Sequence, residues 1–258
     1  MKTPLHDILE LENDFWSLTA EAEARDGYIL FHNRVYAPRV DPNHAGFFRA
    51  GTGQAERIVA EISAFYRQIG CDPAAYVDAL HTPPDLIPTL KEAGFRPWAH
   101  ADNDLMFFTG PDVALPADYA IEEATTDAAR EEWVSVLDEA SAADPQTRAV
   151  LRDIYLRQIT DPRMRAYLIR LDGLPVCRCQ LFSARGYGHI EAVRTLDGYQ
   201  RRGLAAAIIR GAMRDSLQMG NKITYLFAEP GAGPQRLYYR LGFRAVAQSA
   251  TLGFILEE

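Results

Sequence analysis

Apolar residues recur mostly at three- and four-residue steps at Leu5, Ile8, Leu9, Leu11, Phe15 and Leu18, which is the spacing of an amphipathic helix. Short apolar runs predict strands at residues 28–31 and near Phe47. The Gly51-Thr52-Gly53 break then introduces a second helical pattern at Ile58, Ile62, Phe65 and Ile69. Pro83-Pro84 interrupts the chain before a helix over 86–93, which Gly94 stops, and residues 105–108 form a further strand. Gly110-Pro111 and Pro116 mark a linker across 109–118.

Beyond the linker the pattern predicts a strand at 119–121 and helices at 127–137 and 149–159. Three strands follow at 167–171, 176–182 and 188–195. Asp172-Gly173 and Arg185-Gly186 separate them, turns that imply antiparallel pairing. A helix over 204–217, a buried strand at 223–227, a helix at 234–241 and a strand at 251–256 complete the chain. The result is an α/β protein with a mixed, largely antiparallel sheet flanked by helices. Leu90-Lys-Glu-Ala-Gly94-Phe95 echoes Tyr238-Tyr-Arg-Leu-Gly242-Phe243 at a spacing of 148 residues, the signature of two tandem lobes. The expected division is 1–110 and 118–258.

Composition narrows the function. The 258 residues carry a net charge of -8, which argues against a nucleic-acid binder, because phosphates are neutralised by a basic face. Residues 1–110 hold nine lysines and arginines against sixteen aspartates and glutamates, a balance of -7 that favours a cationic partner. No apolar run is long enough to span a bilayer, and acidic residues Asp7 and Glu10 stand where a secretory signal needs a basic start. The expected location is the cytoplasm, without membrane contact. Cys177 and Cys179 share one strand face and match no zinc spacing, so they read as buried thiols and no metal is expected.

The stretch Val193-Arg-Thr-Leu-Asp-Gly-Tyr-Gln200-Arg-Arg-Gly203-Leu-Ala205 carries a strand through a polar turn directly into an amphipathic helix. Such a turn exposes unpaired amides at a partly positive helix terminus. Gly203 permits close approach of the backbone, and Arg201 and Arg202 add charge, so the turn suits a pyrophosphate. No phosphate-binding loop of the Gly-x-x-x-x-Gly-Lys-Ser/Thr type occurs, nor does a Gly-x-Gly-x-x-Gly follow a strand.

The segment resembles motif A of the GNAT acetyltransferase superfamily, Gln/Arg-x-x-Gly-x-Gly/Ala, at Gln200, Gly203 and Ala205. Residues 237–243 resemble the family's motif B. The resemblance covers 118–256 and makes residues 1–110 a degenerate lobe of the same kind, whose Asn43-His44 pair reads as a loop network. It implies acetyl-CoA as cosubstrate. The pantetheine arm would lie against the backbone of Val193 and Thr195, the pyrophosphate would meet the amides of Arg201, Arg202, Gly203, Leu204 and Ala205, and Arg194 and Gln200 complete the expected cofactor-binding set. It also implies direct attack of a primary amine on the thioester, with Tyr238 near the coenzyme sulfur as general acid.

An alkylammonium, with a pKa of about 10, must lose a proton before it attacks. His189, Glu191 and Val193 alternate along one strand. Glu191 is the first choice of base, His189 the second, and a water chain the alternative. The acceptor is a small-molecule or peptide amine, and a homodimer is allowed for. The rival reading is a non-catalytic acyl-CoA-binding or regulatory module. Two departures from the family pattern stand out: Gly231-Ala-Gly233-Pro234 where asparagine is common, and Asp197 where proline is common.

Overall fold

The computed structural model describes all residues except 1–2, 38, 40, 99–101, 115–118, 138–140, 142–143 and 257–258. The described elements are, in order, α1 (Pro4–Trp16), β1 (Glu21–Arg25), β2 (Tyr28–His32), β3 (His44–Gly46), α2 (Ala55–Gln68), β4 (Ala74–Asp78), α3 (Leu86–Glu92), β5 (Arg96–Pro97) and β6 (Asn103–Phe108). There follow β7 (Glu122–Glu123), α4 (Asp127–Ser135), α5 (Pro145–Ile159), β8 (Met164–Leu171), β9 (Leu174–Ala184), β10 (Tyr187–Thr195), α6 (Leu204–Gln218), β11 (Ile223–Ala228), α7 (Gly233–Arg240) and β12 (Arg244–Ile255). The expected class holds: strands paired mainly antiparallel, flanked by helices. Part of the expected linker, 115–118, and the expected start of the second lobe at residue 118 lie outside the described residues.

The chain divides into two compact units, one of Met1–Leu105, Ala228–Ala232 and Ala245–Glu258, the other of Met106–Phe227 and Gly233–Arg244. The sequence places 118–258 together, whereas the last strand clusters with the first unit. The reason is pairing: β12 runs antiparallel to β4, with Thr251 opposite Asp78 and Ile255 opposite Ala74. Phe254 is thereby buried in the first unit's core beside residues such as Ile58, Ile62 and Tyr66. Those three form the i, i+4, i+8 stripe of α2, and each contributes roughly 1.5–3 kcal/mol of apolar burial.

Within the first unit, β1 pairs antiparallel with β2, β2 antiparallel with β3, and β3 parallel with β4. Within the second, β8, β9 and β10 pair antiparallel in turn, and β10 runs parallel to β11 over residues 187–189 and 223–225. The two units thus repeat one strand scheme. Asn43 and His44 form the expected network: Asn43 Oδ1 accepts from the Asn33 amide at 2.7 Å, Asn43 Nδ2 donates to the Arg39 carbonyl at 2.8 Å, and His44 Nδ1 lies 2.9 Å from the Asp41 carbonyl.

Two helices of the second unit are capped by their own side chains. Thr126 accepts from the Ala129 amide at the start of α4, and Asp144 accepts from the Gln146 and Thr147 amides at the start of α5, where Pro145 opens the first turn. At α6 the N-cap is Gly203, in the left-handed region at φ 84°, with no side-chain cap. The first intrahelical bond there runs from the Ala207 amide to the Gly203 carbonyl at 3.0 Å, so the amides of Leu204, Ala205 and Ala206 are left for another acceptor.

Candidate active site

Strand β10 delivers the chain to that uncapped helix. Its parallel contact with β11 ends at His189 opposite Tyr225. Beyond it the register against β9 shifts between Glu191, opposite Gln180, and Arg194, opposite Arg178. Two residues, Ala192 and Val193, therefore face one, and Ala192 adopts φ 52°, a bulge whose left-handed alanine stores on the order of 1 kcal/mol of strain. The bulge corrects the simple alternation. His189 and Glu191 share a face as expected, but past the bulge Arg194, not Val193, takes that face, because cross-strand partners point the same way.

A cleft of about 640 Å³ opens between the end of β10, the turn before α6 and the start of α7, within the usual range for a small-ligand site. Of the residues singled out in the sequence, Val193, Arg194, Thr195, Gln200, Arg201, Gly203, Leu204, Ala205 and Tyr238 line it. Arg202 does not. Its guanidinium carbon lies 5.1 Å from the Tyr199 ring centroid and its Nη2 donates to the Gly198 carbonyl at 3.3 Å, which turns the side chain away. Tyr199, Ala206, Gly233, Pro234, Leu237 and Arg240 also line the cleft, none of them among the expected site residues. The signal for Leu237 and Arg240 was the helical spacing around Tyr238; Tyr199 lay within the turn itself.

The turn is held by Asp197, whose Oδ1 accepts from Arg194 Nη2 at 2.9 Å and from Gln200 Nε2 at 2.7 Å. Where a proline would stiffen the turn covalently, this aspartate ties the strand end to it. A Cβ built on Gly203 meets nothing within 4 Å, so the space before α6 is open to a ligand. Open amides, a helix N-terminus and the charges of Arg194, Arg201 and Arg240 along one cleft fit a pyrophosphate.

Tyr238 is buried against Phe243, with ring centroids 6.1 Å apart. Burial pushes its hydroxyl up to about 12, with the charge of Glu191 adding to the shift, so it is a neutral donor at physiological pH. Glu191 does not line the cleft; its Oε2 accepts from Gln180 Nε2 at 3.0 Å. His189 is buried and stacked on Tyr225 at 4.6 Å, with Phe227 edge-on at 5.7 Å. The expected catalytic trio is therefore only partly brought together: Tyr238 sits in the cleft, Glu191 within electrostatic reach of it, and His189 in an aromatic stack. Cys177 and Cys179 are buried as expected; Cys179 Sγ lies 3.8 Å from the Ile208 carbonyl, and burial raises both thiols, Cys177 to about 11.

Residues 123–243 match the acetyltransferase (GNAT) family model. No curated protein matches the chain. Among solved structures, a GCN5-related N-acetyltransferase from Kribbella flavida superposes with a TM-score of 0.74 at 17% identity, covering 100% of this chain and 97% of that one. A functionally unknown conserved protein from Staphylococcus epidermidis ATCC 12228 gives 0.71 at 11% identity, covering 93% and 95%. A tandem GNAT protein from the clavulanic acid biosynthesis pathway gives 0.59 at 11%, covering 83% and 76%. At such identities the likeness is one of fold. None of the described helices is long and apolar enough to cross a membrane. The family match thus lies across the uncapped helix, its cleft and Tyr238, and residues 123–243 are similar to the acetyltransferases of the GNAT family.

Proposed function

We propose that the protein is an acetyl-CoA-dependent N-acetyltransferase acting on a primary amine by direct attack on the thioester, with the second unit as the working lobe. The observation that carries this reading is the uncapped start of α6 inside the cleft: two neighbouring helices satisfy their first amides with side chains, and this one presents them to a cavity with three arginines. The chain binds the pyrophosphate through the turn from Gln200 to Ala205. The bulged end of β10 offers backbone groups of Val193 and Thr195 to the pantetheine arm.

In the transfer the amine nitrogen forms the C–N bond as the C–S bond breaks, and the ammonium proton leaves to a base. Glu191, directly or through a water, is the residue this geometry favours, since His189 is enclosed by rings. Tyr238 donates from its hydroxyl to the departing sulfur. With a pKa of about 12 against about 8.5 for a thiol, the phenol serves first as a hydrogen-bond donor to the thiolate, which takes up its proton as the product leaves. The first unit is read as a lobe of the same descent without a cofactor site.

Titration calorimetry with acetyl-CoA tests the reading. Micromolar binding, followed by turnover in an amine screen, supports it; absence of binding to the intact protein overturns it. If acetyl-CoA binds and no amine is acetylated, the chain is a non-catalytic acyl-CoA-binding module.

A further inference from the structure

Among the described residues, Arg178 on β9 is the only lysine or arginine that is buried, at 3% exposure. Its guanidinium carbon lies 4.2 Å from the Trp133 ring centroid and 4.3 Å from that of Tyr155, and Nη1 donates to the Trp133 carbonyl at 3.2 Å. Trp133 is itself fixed, its Nε1 donating to the Cys179 carbonyl at 2.9 Å. Nε of Arg178 has no hydrogen-bond partner, and no carboxylate lies within ion-pair distance of the group, among the described residues. Glu191 acts on it only at longer range. A cation taken out of water is ordinarily paired. Here two ring faces hold it in place, and among the described residues no carboxylate forms an ion pair with it.

This guanidinium lines a cavity of about 150 Å³ with Leu137, Leu151, Tyr155, Ala192, Val193 and Arg194. That is room for roughly five water molecules at about 30 Å³ each, enough for a carboxylate and a few carbons. Val193 and Arg194 line both this cavity and the acetyl-CoA cleft, so the two meet at the β10 bulge. Leu137, Leu151, Ala192 and Val193 supply the apolar part of its wall, and Arg194 adds a second positive side chain.

We propose that this cavity receives a carboxylate of the acceptor, and that the acceptor class is therefore amino acids or other short amino carboxylic acids, held by the Arg178 charge with the amine directed toward the bulge. The inference rests on the acetyltransferase reading. It refines the expectation of a cationic acceptor, since the nucleophile is still an ammonium in solution but its carrier is zwitterionic. The acidic balance of the first half acts at long range, whereas Arg178 acts at the point of contact.

The test uses L-amino acids of graded size beside their C-terminal amides. Binding to the CoA-saturated full-length protein is read by thermal shift and calorimetry, and acetyl transfer is followed in parallel. The expected result is at least a tenfold preference for the carboxylate over its amide, in Kd and in KM. Arg178→Met fills the slot between the rings without the charge and should abolish the preference. Leu151→Glu leaves Arg178 in place but supplies a carboxylate from α5, and should abolish it too, which guards against misfolding of the first variant. Equal binding of acids and amides by the intact protein, or a preference that survives Leu151→Glu, overturns the proposal. Loss of the parent reading looks different, because acetyl-CoA itself then fails to bind.

Discussion

The turn into α2 and the turn into α6 occupy like positions in the two units, and only one is built to hold an anion. Ala75 on β4 and Thr224 on β11 each lie twenty residues after the first residue of the preceding helix, and each faces a parallel strand, at Ala45 and Gly188 respectively. From Ala45 to the start of α2 the chain takes ten residues; from Gly188 to the start of α6 it takes sixteen. The six extra residues are the bulged strand end and the arginine-bearing turn. Gly53 at φ 79° and Gly203 at φ 84° share the left-handed geometry, and a Cβ on either meets nothing within 4 Å. A glycine before a helix is therefore not what makes the site. Length, basic residues and an open cleft do.

The helix ends teach the complementary lesson. Phe95 donates its amide to the Leu90 carbonyl at 3.0 Å, and Phe243 donates to the Tyr238 carbonyl at 3.0 Å, with Gly94 at φ 97° and Gly242 at φ 96°. This is one C-terminal capping motif used twice. The structural half of the repeat is kept in both units, but the residue four before the glycine is fully buried Leu90 in one and cleft-lining Tyr238 in the other.

The contrast between the turns is broken most severely by Gly203→Asp. Loss of two charge-assisted bonds, worth about 1.5–3 kcal/mol each, should weaken acetyl-CoA binding on the order of 1000-fold by calorimetry. Gly53→Asp, with the same backbone strain, should leave the affinity within about twofold. A comparable loss in both would show that the first unit also holds the coenzyme.

Tyr238→Phe should lower kcat about 100-fold, at the low end for loss of an acid–base group, with acetyl-CoA affinity retained. Tyr238→Leu, which installs the first unit's residue, should do the same. Unchanged kcat in both would reduce Tyr238 to a packing role.

Gly94→Ala and Gly242→Ala should each destabilise the protein by about 1–2 kcal/mol in denaturant unfolding. In each case the added Cβ meets a side chain at 3.3 Å, Leu256 or Phe108. A large inequality between them would show that the two capping motifs are not equivalent.

The mildest effect expected is alkaline. Burial, foremost among the causes, raises the hydroxyl pKa of Tyr66 and Tyr76 in the first unit and of Tyr167 and Tyr238 in the second. A raised folded pKa gives stability that is complete below the unfolded value of about 10 and is lost as pH climbs through the folded one. Stability should therefore be flat at neutral pH and fall above about pH 10. For Tyr238 the loss is complete only beyond about pH 12, so Tyr238→Phe should soften the decline slightly. A decline that begins near neutrality would contradict these shifts.

Much of this organisation was legible beforehand where the signal is local. The helical stripe of α2, the hairpin turns at Asp172-Gly173 and Arg185-Gly186, and the Gly94 and Gly242 stops each depend on a few neighbouring residues, and each matches the structure. Strands β1 and β4 carry no such local signal. The first is a polar run, Glu-Ala-Glu-Ala-Arg, lying almost wholly exposed. The second, Ala-Ala-Tyr-Val-Asp, is short and weakly alternating. Asp26-Gly27 was the missed hairpin signal between β1 and β2, the counterpart of Asp172-Gly173. Arg178 had a signal of its own, a lone charge in the buried run Val-Cys-Arg-Cys.

The sequence by itself determined the phosphate-suited turn, since the strand end, Gly203 and the first turn of α6 are contiguous and their amides point where local backbone geometry sends them. Tertiary structure alone decided that β12 closes the first unit's sheet, that a bulge at Ala192 turns Arg194 to the Glu191 face, and that Arg178 is wedged between Trp133 and Tyr155. Each of those depends on partners 11 to 181 residues away in the chain. A strand's own alternation says which residues share a face, but not which partner it joins or where a one-residue slip reverses that face.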